Sequence, residues 1–152
     1  MGEVVRPITF MGEFEHSLDL KGRLIIPSKY RQGIGSICYL VNGWDRECIY
    51  LFPETEWQRL VEQYLADTSL IGEETQDFTR LLAAGAADCE LDRQGRIFIP
   101  QNLREHARIE SRVTIVGVLH RVEIWDTDKW QEFKKARPFK ELAKQLKPKK
   151  QQ

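Results

Sequence analysis

The chain is written twice. Residues 18–31 run Leu-Asp-Leu-Lys-Gly-Arg-Leu-Ile-Ile-Pro-Ser-Lys-Tyr-Arg, and residues 91–104 run Leu-Asp-Arg-Gln-Gly-Arg-Ile-Phe-Ile-Pro-Gln-Asn-Leu-Arg. At one offset of 73, Leu18/Leu91, Asp19/Asp92, Gly22/Gly95, Arg23/Arg96, Ile26/Ile99, Pro27/Pro100 and Arg31/Arg104 are identical. The offset reaches Leu51-Phe52 over Ile124-Trp125 and Trp57-Gln58 over Trp130-Gln131, with a one-residue slip where residues 40–43 align with 114–117. Two copies are too few for a solenoid, which needs about three or more to bury its faces. They fit a closed pair with pseudo-twofold symmetry, in which each half covers strand edges that the other leaves open.

Each half reads as the same supersecondary unit. In the first, alternation predicts a strand over 10–18. Asp19 to Gly22 form a turn, because Asp bonds backbone two residues on and Gly reaches positive φ at low cost. A strand follows over 23–26, and Pro27 suits the start of a short helix over 28–32. Strands are expected at 37–41 and 48–52. Pro53 opens a helix with Trp57, Leu60, Val61, Tyr64 and Leu65 on one stripe, which breaks over 68–72. Another helix spans 74–84, with Phe78, Leu81 and Leu82 on one face. The second half replays this with strands at 88–91, 96–99, 113–116 and 122–125 and a short helix after Pro100. A last helix is capped by Thr127, carries Trp130 and Phe133, and ends or kinks at Pro138. By this reading the second half has one helix after its last strand where the first has two, and the tail from 147 onward is disordered. The helical pair after Pro53 bridges the halves.

The 152 residues amount to roughly one domain, and no stretch approaches the ~18 apolar residues of a membrane span. The N-terminus lacks the basic-then-apolar plan of a secretory signal, so cytoplasmic residence is expected. Cys38, Cys48 and Cys89 are odd in number and widely spaced, without a Cys-x-x-Cys pair. They read as small buried hydrophobes in a reducing compartment. His16, His106 and His120 have no metal-ligand spacing, and neither a phosphate-binding loop nor a nucleophile elbow is present. The four Trp residues read as core or subunit interface. No enzyme, cofactor, metal or small-molecule substrate is expected.

Net charge is zero but uneven. Residues 134–152 hold eight of the 23 basic residues and one of the 23 acidic ones, which leaves 15 basic against 22 acidic elsewhere. Bulk attraction therefore cannot bring nucleic acid to this chain; a local basic face, or many copies acting together, must do it.

Asp-x-x-Gly-Arg admits two readings. One is a turn alone, in which Asp caps, Gly bends and Arg pairs with Asp. The other gives Arg23 and Arg96, helped by Lys21 and Arg93, to phosphates and guanine edges, for which the rigid guanidinium fork is suited. Asp19 and Asp92 would hold the forks in place, and Gly22 and Gly95 would make the turns.

The two motif copies, together with Phe10-Met-Gly-Glu-Phe-Glu-His and Asp77-Phe-Thr-Arg-Leu-Leu, strongly resemble the MraZ family of bacterial transcriptional regulators over about residues 10–134. The resemblance implies an α+β fold of two tandem AbrB-like swapped-hairpin β units forming a pseudo-twofold barrel with flanking helices. It divides the chain into a leader (1–9), a first repeat (10–56), a helical bridge (57–87), a second repeat (88–134) and a basic tail (135–152). It further implies a ring, commonly an octamer, that binds double-stranded DNA at direct repeats upstream of the division and cell-wall gene cluster and represses it from the nucleoid. Carried over, the site is Lys21, Arg23, Arg93 and Arg96, supported by Asp19, Gly22, Asp92 and Gly95. Two rivals keep a similar fold: a structural or protein-interaction ring whose Arg pairs form subunit salt bridges, and an antitoxin-like DNA binder that acts as a simple dimer.

Overall fold

The computed structural model describes residues 9–65 and 72–148. In chain order the elements are β1 (Glu13–Ser17), β2 (Arg23–Ile25), α1 (Ser28–Ile34), β3 (Ile37–Asn42), β4 (Ile49–Pro53), α2 (Glu54–Leu60) and α3 (Glu73–Gly85). Then come β5 (Ala87–Glu90), β6 (Arg96–Phe98), α4 (Gln101–Ala107), β7 (Arg112–Val118), β8 (Arg121–Asp126), α5 (Thr127–Ala136) and α6 (Phe139–Lys144). The leader through residue 8, most of the helix break at 68–72, and the tail from 149 lie outside the described residues.

All strand pairs are antiparallel. Six strands form one sheet in the order β1-β7-β8-β4-β3-β5, while β2 and β6 pair as a separate ribbon. The halves are interlocked: β1 of the first pairs with β7 of the second, and β5 of the second pairs with β3 of the first. Equivalent residues face each other at two places, Tyr50 opposite Glu123 and Leu24 opposite Ile97. A pseudo-twofold axis therefore runs through the β4–β8 pair and the β2–β6 ribbon. The expected barrel does not close. β1 and β5 lie at opposite ends of an open sheet, and the three-residue ribbon strands bond to each other rather than bridging those ends.

Both faces of the large sheet are covered, so its inner strands read as continuous apolar runs. In β4, Ile49 and Leu51 enter one apolar cluster while Tyr50 and Phe52 enter another. The first cluster also takes Leu24, Ile26, Ile97, Ile99 and Leu103, from the ribbon and its helices. The second takes Leu82 and Trp125, with Trp57, Leu60, Trp130 and Phe133 of α2 and α5 against it.

Several expectations change. The strand over 10–18 begins only at Glu13, because Gly12 sits at φ 97° and breaks the extended run; Phe10 makes an isolated bridge to Leu119. The slip between the halves is two residues, not one. Cys38 and Val113 stand in equivalent places, as do Leu40 and Ile115, judged by their partners in β4 and β8. A one-residue slip would turn every side chain to the opposite face; a two-residue slip preserves the pattern. Asp126, not Thr127, caps α5, its carboxylate accepting the Lys129 N–H at 3.1 Å. Thr127 is buried, with Oγ1 at 3.1 Å from that of Thr114. Pro138 ends α5 and also starts α6, accepting N–H bonds from Glu141 and Leu142, so a second helix follows the last strand in this half too. In α3 only Leu82 of the expected apolar face is buried; Leu81 is 75% exposed. The stripe of α2 runs into a π-type turn over Val61–Leu65, which leaves Tyr64 exposed. Trp125 is core, whereas Trp44 is exposed.

At the axis the pseudo-symmetry is broken by a buried charge. Glu123 accepts Arg121 Nε and Nη2 at 2.9 and 2.7 Å on one oxygen and Trp125 Nε1 at 2.9 Å on the other. Arg121 also lies over the ring of Tyr50, 4.4 Å from its centroid.

Candidate nucleic-acid interface

The two Asp-x-x-Gly-Arg turns are built alike. Asp19 Oδ1 accepts the N–H groups of Lys21 and Arg23, each at 2.9 Å, and Oδ2 accepts Arg23 Nε at 2.8 Å. Asp92 Oδ1 accepts the N–H groups of Gln94 and Arg96 at 2.9 Å, and Oδ2 accepts Arg96 Nε at 2.9 Å. Gly22 and Gly95 close the turns at φ 79° and 77°. Both carboxyls are held below the usual carboxylate range. The largest cause is the Arg23 or Arg96 backbone N–H, joined by the same residue's side chain and opposed by partial desolvation. The aspartates thus stay ionised and fix each guanidinium by one edge.

The ribbon brings the turns together. Along β2 and β6, Leu24 and Ile97 point into the core, while the outward face presents Arg23 opposite Phe98 and Ile25 opposite Arg96. Phe98 is 51% exposed and Ile25 44%. Arg96 Nη1 also comes within 3.9 Å of Asp19 Oδ2, so the motifs touch across the axis. Lys21 and Arg93 are exposed in the flanking turns. They are not equivalent positions: Lys21 corresponds to Gln94, and Arg93 to Leu20, which is fully exposed. All four predicted basic residues therefore lie on the ribbon or its turns. A two-stranded antiparallel ribbon of this kind is narrow enough to enter a DNA major groove.

Arg31 and Arg104 complete the cluster and were not foreseen as part of it. Arg31 Nε donates to Ile26 O at 2.9 Å, and Arg104 Nε to Ile99 O at 3.1 Å. Each lies beside the turn of the opposite half, Arg31 against Gly95 and Arg104 near Gly22. Ile26 N–H donates to Gly95 O and Ile99 N–H to Gly22 O, both at 2.9 Å. Their identity in the repeat was the signal available; only the interlocking of the halves gives it meaning.

The two glycines are not equally replaceable. A Cβ at Gly95 would overlap the Arg31 guanidinium, whose bond to Ile26 resists displacement, whereas a Cβ at Gly22 would meet Phe98 at 3.3 Å. Both changes carry the left-handed strain of about 1–2 kcal/mol. Gly95→Ala should lose about 1 kcal/mol more through the Arg31 bond. Its thermal midpoint should therefore fall roughly 2–4 °C below that of Gly22→Ala, and equal midpoints would refute the asymmetry.

Among the described residues no helix is long and apolar enough to cross a membrane. The family model for MraZ protein, described as antitoxin-like, matches residues 9–81 and again 82–147. The chain is 41% identical to the transcriptional regulator MraZ of Natranaerobius thermophilus, over 90% of this chain and 96% of that one. It is 44% identical to the same-named protein of Caldanaerobacter subterraneus subsp. tengcongensis, over 90% and 95%. For the transcriptional regulator MraZ of Lactiplantibacillus plantarum the identity is 45%, over 90% and 97%.

Proposed function

The chain belongs to the MraZ family, and from that premise we propose that it is a DNA-binding transcriptional regulator, not an enzyme, that meets double-stranded DNA with the β2–β6 ribbon. The observation that carries this reading is the pair Arg23 and Arg96, each fixed by one edge to Asp19 or Asp92 on the same outward face. Beyond the loose 3.9 Å pairing of Arg96 Nη1 with Asp19, their terminal nitrogens make no hydrogen bond among the described residues and remain for phosphate or base. Lys21 and Arg93 add charge at the two ends. Asp19, Gly22, Asp92 and Gly95 hold the shape.

The finer reading follows the resemblance. The interlocked halves are two AbrB-like swapped-hairpin units, bounded at 10–56 and 88–134 and joined by the bridge 57–87. Copies assemble into a ring, an octamer, whose successive ribbons engage direct repeats upstream of the division and cell-wall gene cluster. The protein works in the cytoplasm on the nucleoid as a repressor of that cluster, its own gene included. A ring suits a chain of zero net charge, because linked weak contacts gain from effective concentration. An apolar groove lined by Trp44, Tyr64, Phe78 and Leu82 supports self-association. The rival structural ring assigns the same terminal nitrogens to subunit salt bridges, each Nε being held by an aspartate of its own half.

The test is gel-shift binding to DNA upstream of the protein's own gene, across a salt series with unrelated DNA as competitor. A specific shift is expected, with a log–log salt slope of about −0.9 per neutralised phosphate. No specific shift, with a large assembly in light scattering of the same sample, would favour the structural ring.

A further inference from the structure

Cys38 and Cys89 lie 51 residues apart in sequence yet stand directly opposite each other across β3 and β5, with their sulfurs 2.9 Å apart. Direct antiparallel partners place their Cα atoms about 4.5–5.5 Å apart, inside the span that a disulfide requires. Cys38 is fully buried, whereas Cys89 is partly exposed on β5, one of the two edge strands of the sheet. The two sulfurs are also chemically unlike. The hydrogen bond the two thiols share draws the Cys89 pKa down against the opposing effect of burial and raises that of Cys38, which burial raises further. Cys48 is different again. It is buried among apolar side chains, its sulfur donates weakly to Glu123 Oε1 at 4.0 Å, and burial raises its pKa.

We propose that Cys38 and Cys89 are a modification site, a dithiol that a hydroperoxide oxidises to a reversible disulfide linking β5 of one half to β3 of the other. In the first step the Cys89 thiolate attacks one peroxide oxygen. The O–O bond breaks, the leaving oxygen takes a proton and departs as water or alcohol, and Cys89 becomes a sulfenic acid. In the second step the Cys38 sulfur, giving up its proton, attacks the Cys89 sulfur, and hydroxide leaves as water. Two thiols lose two electrons in all, and the peroxide gains them. A dithiol reductant reverses the bond by thiol–disulfide exchange.

The site joins structure that the sequence separates. Among the described strands β5 bonds to β3 alone, and Asp92 follows Cys89 by three residues. Oxidation would fasten the edge strand that leads into the second turn of the ribbon.

The test treats the full chain with a few equivalents of hydrogen peroxide and maps its peptides without reduction. A Cys38–Cys89 linked peptide is expected, two hydrogens lighter than the sum of its parts, with Cys48 free and with dithiothreitol restoring both thiols. The oxidised protein should melt roughly 5–15 °C above the reduced one. Cys38→Ser should stop at a Cys89 sulfenic acid that dimedone traps. Prior oxidation of Cys48, disulfides between copies in place of the internal link, or unreactive Cys38 and Cys89 would each overturn the proposal. The mapping uses the unaltered sequence, so it stands even where a variant does not fold.

Discussion

Replacing both Arg23 and Arg96 by Ala is expected to weaken specific DNA binding about a hundredfold or more while leaving the fold and the assembly unchanged. Loss of one Arg contact to a base edge or phosphate is worth about 1–3 kcal/mol, or roughly fivefold to over a hundredfold in affinity. The turns should survive, because each aspartate keeps two backbone N–H bonds after its arginine is truncated. The single changes should not multiply simply to the double. With Arg23 gone, Arg96 at 3.9 Å is the cation left beside Asp19, and residues sharing a partner couple. Arg23→Lys should recover little, since an ammonium cannot bond Asp19 along one edge and still present a fork. Titration of the double variant against the operator, beside its light-scattering mass, decides the matter. Full affinity would remove the ribbon from the interface, and loss of the assembly would return the arginines to a structural role.

Glu123→Ala is expected to be the most destabilising of the simple truncations near the axis. It would leave the Arg121 guanidinium and the Trp125 N–H without their acceptor in a site where Glu123 is only 7% exposed. Breaking a buried pair by removing one partner costs about 3–5 kcal/mol, which for a chain of this length lowers the melting midpoint by on the order of 10 °C. Glu123→Gln keeps an acceptor for Trp125 and should lose about half as much. A Glu123→Ala protein that melts within a few degrees of its parent would show that water or a rearranged Arg121 replaces the carboxylate.

Local chemistry made half of this structure readable. The Asp-x-x-Gly-Arg turns, the three-residue strands after them and the helices after Pro27 and Pro100 follow from short-range rules, and they stand where those rules put them. The Asp126 cap was missed because Asp126 and Thr127 are both good caps, and burial of Thr127 beside Thr114 decided between them. The exposed face of α3 and the π-type end of α2 also escaped, since periodicity marks an apolar stripe without saying whether anything lies against it. The pairing of β1 with β7, about a hundred residues on, leaves no local mark at all. For the same reason the roles of Arg31 and Arg104, and the meeting of Cys38 with Cys89, could not be read before the halves were seen to interlock. The placement of Lys21, Arg23, Arg93 and Arg96 on one ribbon depends on the same interlocking.

The non-equivalent turns give the ribbon a sense of direction. A true dyad reads a site and its reversed complement alike, and two identical chains around an axis are bound to that indifference. Here one turn offers Leu20 and Lys21 where the other offers Arg93 and Gln94, so on the DNA-facing ribbon proposed above, turning the molecule end for end on a duplex would change which charge meets which base. If the ribbon binds DNA as proposed, such a surface would tell head from tail, as a series of sites all pointing the same way along a duplex demands.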